Sequence, residues 1–317
     1  MEKLRISLMN RLLLLVFATI VSAPVWAGPG APDPARLKLK SANVVVVDAD
    51  TDRQIYAKAA NEVTPIASLT KLMTAMVVLD AKQPLDDPIT IDTDDIDTLK
   101  GSHSRLRMGA TLSRREMLRL ALMASENRAA SALARYYPGG KAAAVEAMNA
   151  KATLLGLAQT HYADPTGLSP ENVSTAHDLA KLVQAAAEYP LIREFTTTPK
   201  LSVDIEPSGR TVGFVNTNAL VRGQSWDILM QKTGYIREAG RCVVMLVNIA
   251  SRPIVIVLLD SMGRYTRFAD ARRVKYWLET GDTLVFARAP HARTVKARVV
   301  SRGHRVKRAH YVKTATR

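Results

Sequence analysis

The chain has 317 residues, 47% of them hydrophobic, and a formal net charge of +15. That size admits one large domain or two modest ones, and the apolar fraction excludes a disordered chain. A single cysteine, Cys242, excludes an intramolecular disulfide and cysteine-rich zinc sites.

At the start, Lys3, Arg5 and Arg11 precede the apolar run Leu12 to Val21, which is short for a bilayer span. Ser22-Ala23-Pro24-Val25-Trp26-Ala27 then presents small residues at a cleavage position. The pattern predicts a secretory signal peptide over residues 1–27, cleaved after Ala27, with an uncleaved membrane anchor as the alternative. No cysteine follows that position, which argues against a lipoprotein. Export without disulfides fits a bacterial envelope protein, located in the periplasm. Residues 28–40, with Pro29, Pro32 and Pro34, read as a linker.

Ser41 to Asp50 contains Val44-Val45-Val46-Val47, a strand buried on both faces. Asp50-Thr51-Asp52 turns the chain, and Gln54 to Ala57 returns as a second strand. A helix follows, with Leu69, Leu72, Met73 and Met76 at helical spacing. Ser68 falls in its first turn and Lys71, three residues on, shares its face. Asp80 to Thr98 is polar and acidic and reads as loops with short strand pieces. Ser113-Arg114-Arg115-Glu116 is a capping box opening the apolar helix Met117 to Ala124.

That helix delivers Ser125-Glu126-Asn127 at its end. Helices are predicted over Ala129 to Tyr136 and Ala142 to Leu155, around a Gly139-Gly140 break. Asp164 to Pro170 is a loop, and Thr175-Ala176-His177-Asp178 caps a helix running to Glu188. Strands then dominate. Lys200 to Ile205 and Thr211 to Asn216 form one hairpin, and Ile228 to Tyr235 and Arg241 to Ala250 a second. Pro253 to Leu259 is another strand, and Arg264 to Thr280 a closing helix. Strand pairs at both ends with helices between predict an α+β domain over residues 41–285, its sheet closed by the two chain ends. No internal repeat is present.

From Arg288 onward there are ten basic residues and no acid, which leaves +5 for the rest. Residues 286–317 therefore read as a disordered basic tail. Behind a signal peptide its expected partners are anionic envelope polymers, and no nucleic acid is expected. The six histidines, His103, His161, His177, His291, His304 and His310, form no close pair at a metal-ligand spacing, so neither a metal nor another cofactor is predicted. Cys242 reads as a packed core residue and His177 as a structural one.

An ammonium beside a hydroxyl in a buried pocket has a chemical use. Desolvation favours the neutral amine, which can take the proton from Ser68 and leave it nucleophilic. Alone, a Ser-x-x-Lys match carries little, because most are a helix cap followed by a solvated lysine. Two further elements follow it in order: Ser125-x-Asn127 after a helix, and Lys232-Thr233-Gly234 on a strand. Lys232 and Thr233 offer a charge and a hydroxyl to a carboxylate, and Gly234 lets a ligand's backbone approach the strand edge. Ser41-Ala42-Asn43 matches the second pattern too, but it lies in a strand before Ser68.

Together the three elements resemble the serine D-alanyl-D-alanine peptidases of the low-molecular-mass penicillin-binding protein family. The resemblance runs from Ser41 to Thr280 and is most specific at Ser125 to Ala130 and Lys232 to Tyr235. It implies the transpeptidase fold shared by penicillin-binding proteins and serine β-lactamases, a helical subdomain against a five-stranded antiparallel sheet flanked by helices. It also implies roles. Ser68 would be the acylated nucleophile, Lys71 its base, and Ser125, touching Lys71 and Lys232, a proton relay to the leaving amine. Asn127 would bind the substrate's peptide, Lys232 and Thr233 its terminal carboxylate, and the N–H groups of Ser68 and Tyr235 the oxyanion.

Too few residues follow Thr280 for the extra β-rich domain of many carboxypeptidases, and the tail has no apolar stripe. The chain therefore looks most like the shorter, soluble D,D-endopeptidases, which Glu126 also fits. They cut D-alanyl cross-links between peptidoglycan stem peptides and take β-lactams as covalent inhibitors. The alternatives are a D,D-carboxypeptidase, a class A-like β-lactamase with Glu171 as its deacylating residue, and a non-catalytic wall-binding or sensor protein.

Overall fold

A computed structural model describes residues 33–282 and Leu284. The expected signal peptide and basic tail lie outside the described residues. Strand β1 (Ser41–Asp48) is buried on both faces because its four valines alternate: Val44 and Val46 enter one apolar cluster, Val45 and Val47 another. It pairs with β2 (Gln54–Lys58). β3 (Thr64–Pro65) and a 3-10 turn, Ala67–Thr70, lead into α1 (Lys71–Asp80). Every residue of α1 from Lys71 to Val78 is buried, so this helix is the axis of the helical block and not a surface element. Each Leu or Met interred there contributes roughly 1.5–3 kcal/mol.

The acidic stretch after α1 holds β4 (Pro88–Thr90), which pairs with β5 (Thr111–Ser113). The Ser113–Glu116 capping box starts α2 (Arg114–Met123) three residues before its apolar run. α3 (Asn127–Arg135), α4 (Gly140–Leu154), β6 (Val173–Ser174), α5 (Ala176–Ala187) and α6 (Pro190–Thr197) follow. Then come the hairpin β7 (Lys200–Ile205) and β8 (Arg210–Val215) and a short α7 (Ala219–Arg222) that the sequence pattern does not announce. β9 (Ile228–Ile236), β10 (Gly240–Ile249), β11 (Arg252–Ser261) and α8 (Thr266–Thr280) complete the order.

The main sheet runs β2-β1-β11-β10-β9 with antiparallel neighbours, and β1 and β11 join the two ends of the domain, Val44 opposite Leu258. On one face α8 packs Phe268, Ala271, Val274 and Trp277 against Val243, Met245, Ile256 and Leu258. Val244, Val255, Val257 and Leu259 point to the other face, into the core shared with the helical block. The buried Asp270 of α8 accepts hydrogen bonds from Ser41 N at 2.7 Å and Ser41 Oγ at 2.8 Å, which ties the start of β1 to the closing helix. The segment read as linker is packed from Asp33 onward: Leu37 and Leu39 are buried and Trp277 Nε1 donates to Asp33 O at 3.2 Å. Leu37 and Leu39, two residues apart, both enter the apolar cluster on the face that α8 covers. The other outcome of this topology is that β9 is an edge strand, facing the turn that carries Ser68.

Candidate active site

Ser68 sits in the 3-10 turn and Lys71 is the first residue of α1, so the expected i, i+3 spacing places both on one side of the junction. The residue before Ser68, Ala67, has φ 49°, a left-handed conformation that costs energy in a non-glycine residue. Lys71 is buried, and its Nζ donates to Ser68 Oγ at 2.9 Å, Asn127 Oδ1 at 2.7 Å and Thr166 O at 2.5 Å. Burial pushes the ammonium down to about 8, although Asp164, Glu126 and Asp97 pull the other way.

The Ser125-Glu126-Asn127 segment is the link between α2 and α3. Ser125 has φ 59°, and Glu126 caps α3 by accepting from Arg128 N. Lys232 Nζ donates to Ser125 Oγ at 2.8 Å, whereas Lys71 donates to the neighbouring Asn127. Asn127 Nδ2 donates to Ser102 Oγ at 2.8 Å, which holds the carboxamide with one further N–H to offer.

Lys232, Thr233, Gly234 and Tyr235 lie on β9. Lys232 is fully buried, its Nζ turned to Ser125 Oγ and to Thr233 O at 2.9 Å. Burial holds it well below the ordinary lysine range, with the Lys71 charge adding to the effect. A carboxylate in the cleft would therefore meet Thr233 before Lys232, which acts through the Ser125 hydroxyl and its field. Gly234 lines the cleft and has a further task that its place in the sequence does not show. A Cβ there would meet Ile66 O at 2.9 Å and Ser68 N at 3.2 Å, so the missing side chain lets β9 press on the Ser68 turn. Tyr235 is exposed, with the Arg241 guanidinium 4.3 Å from its ring centroid.

Between the helical block and β9 opens a cleft of about 500 Å³. Ser68, Ser125, Asn127, Thr233, Gly234 and Tyr235 line it, together with four residues the sequence reading passed over: Lys100, Ser102, Thr217 and Arg267. Thr217 Oγ1 lies 2.6 Å from Thr233 Oγ1 and orients that hydroxyl. Arg267 is 7% exposed, and its Nε is buried with no hydrogen-bond partner among the described residues. Burial, with Arg241 nearby, pushes its guanidinium down to about 10. A buried cation without an anion is costly unless a ligand supplies one.

Asp164 is the other residue that was passed over. Its carboxylate accepts from Thr166 N, Gly167 N and Ser169 N, at 2.6, 2.9 and 2.8 Å, and so shapes the loop whose Thr166 carbonyl meets Lys71. The Asp-Pro-Thr-Gly order is a signal for such a carboxylate-centred turn. Glu171 is exposed and does not line the cleft. Ser41 and Asn43 are buried at the far strand, and Cys242 is buried in the core.

The arrangement is a reachable hydroxyl beside a desolvated amine, with a second buried lysine and the buried Arg267 at the same cleft. The chain is also similar to known proteins. A family model described as D-alanyl-D-alanine carboxypeptidase matches residues 30–263. A D-alanyl-D-alanine endopeptidase of Pseudomonas aeruginosa is 48% identical over 90% of this chain and 92% of that protein. One of Escherichia coli is 45% identical over 90% of this chain and 91% of its own length. Among solved structures, the Streptomyces K15 DD-transpeptidase is similar with a TM-score of 0.71 and 27% identity, over 76% of this chain and 97% of that one.

Proposed function

The chain belongs to the D-alanyl-D-alanine carboxypeptidase family of serine peptidases, and on that premise we propose that it is a D,D-endopeptidase. In this reading it hydrolyses D-alanyl cross-links between peptidoglycan stem peptides through a Ser68 acyl-enzyme. The observation that carries the chemistry is the set of acceptors around Lys71 Nζ. A neutral amine keeps two N–H groups, which suit Asn127 Oδ1 and Thr166 O, both pure acceptors. Its lone pair is then left for Ser68, the one partner with a proton to give. Lys71 accordingly takes the Ser68 proton as Oγ attacks the D-alanyl carbonyl.

The tetrahedral oxyanion is held by the N–H groups of Ser68 and Tyr235, a role supported by the close approach of Gly234 to Ser68 N. When the C–N bond breaks, the amine takes a proton from Ser125, which Lys232 replenishes through its 2.8 Å contact. Water then cleaves the ester: its proton passes through Ser125 to Lys232, the Lys71 ammonium returns its proton to Ser68 Oγ, and all four groups regain their starting state. Asn127 binds the peptide, and Thr233 with Arg267 binds the carboxylate next to the scissile amide. A terminal D-alanine and the D-centre of a cross-linked diamino acid both carry one, so the D,D-carboxypeptidase reading uses the same residues. Overall similarity to two endopeptidases across nine-tenths of the chain favours the first activity. The exposed position of Glu171 counts against a class A-like β-lactamase.

β-Lactams are read as covalent inhibitors, and the periplasm as the site of action after removal of residues 1–27. The basic tail is read as a contact for anionic envelope polymers. Intact mass after mixing with benzylpenicillin, beside a Ser68→Ala control, tests the acyl-enzyme. The expected result is a long-lived adduct on wild type alone, followed by cleavage of cross-linked muropeptides faster than pentapeptides. Rapid hydrolysis of the β-lactam with no adduct would instead indicate a β-lactamase.

A further inference from the structure

One ion pair crosses the mouth of the catalytic cleft. Lys100, on the helical side, donates from Nζ to Glu238 Oε1 at 2.6 Å, and Glu238 stands in the turn that follows β9. Lys100 is a cleft-lining residue, and so are Ile236 and Arg237, the last residues before Glu238 on the opposite wall. The free edge of β9 is the natural seat for an extended peptide, which gains main-chain hydrogen bonds there. A peptide along that edge, continuing past Ile236 and Arg237, reaches the gap that this pair spans.

The base of the Lys100 loop is held by its own backbone, while the side chain is held by the pair with Glu238. Asp97 accepts from Leu99 N and Lys100 N at 2.9 Å and from Ser102 N at 2.7 Å, and Ser102 in turn holds Asn127. Asp97 is thus engaged with its own loop. The ion pair itself is wet: the side chains of Lys100 and Glu238 are 28% and 39% exposed. Exposed pairs of this kind exchange partners at little cost. Arg237 adds a second cation on the strand side. The mouth therefore offers two cations and one resident carboxylate.

Resting on the peptidase reading, the geometry points to a specificity subsite in which Glu238 occupies the place of a substrate carboxylate. An acidic stem peptide displaces Glu238 from Lys100 and pairs its own free carboxylate with Lys100 and Arg237. The enzyme consequently prefers stems whose side carboxylates are free over stems in which they are amidated.

The test is the ratio of kcat/KM on cross-linked muropeptides with free carboxylates to that on the same muropeptides amidated. It is measured in wild type, Glu238→Gln, Lys100→Met and Lys100→Arg, with thermal melting to establish that each variant is folded. Glu238→Gln is expected to raise the ratio roughly three- to fivefold, Lys100→Met to lower it by a similar factor, and Lys100→Arg to retain it. The change should appear in KM and fade with added salt. A ratio unmoved in all variants, or equal slowing on both substrates, would overturn the subsite and leave the pair a strut. Wild type that cleaves neither muropeptide would overturn the peptidase reading itself, a separate result.

Discussion

Lys71 Nζ lies 2.9 Å from Ser68 Oγ, at the foot of a buried helix where burial withdraws the amine from bulk solvent. Burial sets its pKa at about 8. The sign follows directly: below that value the amine is protonated and cannot accept from Ser68, above it the lone pair is available. The acylation rate with benzylpenicillin should rise with pH along a limb centred near 8, and be roughly a hundredfold lower at pH 6 than on the plateau. A flat profile from pH 6 to 9 would remove Lys71 as the base.

The same lysine gives a sharper test through Asp164. Its carboxylate is among the charges that raise the Lys71 pKa against burial, and it also gathers three backbone N–H groups of the loop. Asp164→Asn removes the charge and keeps an acceptor oxygen. The acylation limb should move to lower pH, because burial then acts with less opposition. The loop should loosen by about 1–2 kcal/mol, read in chemical denaturation. An unchanged or higher limb would show that Asp164 does not act on Lys71 electrostatically.

Much of this site could be read before the fold was known, for a physical reason. Ser68 and Lys71, Ser125 and Asn127, and Lys232 to Tyr235 are each a local spacing on one element, and the four valines of β1 declare a doubly buried strand. What stayed hidden depends on distant partners. The packing of the Ser68 turn against Gly234 is one such contact, invisible in the Lys232-Thr233-Gly234 spacing. Arg267 reads as an ordinary basic residue near the start of α8, since nothing local says that this turn of helix faces the cleft. Lys100 and Ser102 sit in an acidic loop whose course is set by Asp97, a side-chain contact with its own backbone.

Gly167 offers a purely steric test. Its φ is 80°, and a Cβ there would fall 2.0 Å from Ala67 O and 2.9 Å from Ser68 N. The nearest atoms all belong to the Ala67–Ser68 peptide, and backbone leaves nothing flexible to give way. Gly167→Ala should destabilise the protein by more than about 2 kcal/mol and push the Ser68 turn out of line, so that acylation falls in whatever fraction remains folded. Gly156→Ala is the control: φ there is also positive, at 65°, but nothing lies within 4 Å of the Cβ position. Equal losses in the two variants would mean that backbone strain, and not the contact with Ala67, sets the cost.

Arg267 separates binding from stability. Its guanidinium lies over the Phe268 ring at 4.4 Å and donates to Arg264 O at 3.3 Å, yet its buried Nε has no partner among the described residues. If the missing anion is the substrate's carboxylate, Arg267→Leu should cut kcat/KM on peptide substrates about ten- to a hundredfold, the worth of one charge-assisted hydrogen bond in a dry site. The same change removes an uncompensated buried charge, so the melting temperature should rise. Arg267→Lys should keep part of the activity, since it restores a charge but not the planar fork. Loss of activity together with a lower melting temperature in Arg267→Leu would make Arg267 a structural residue, packed on Phe268 and unrelated to the carboxylate.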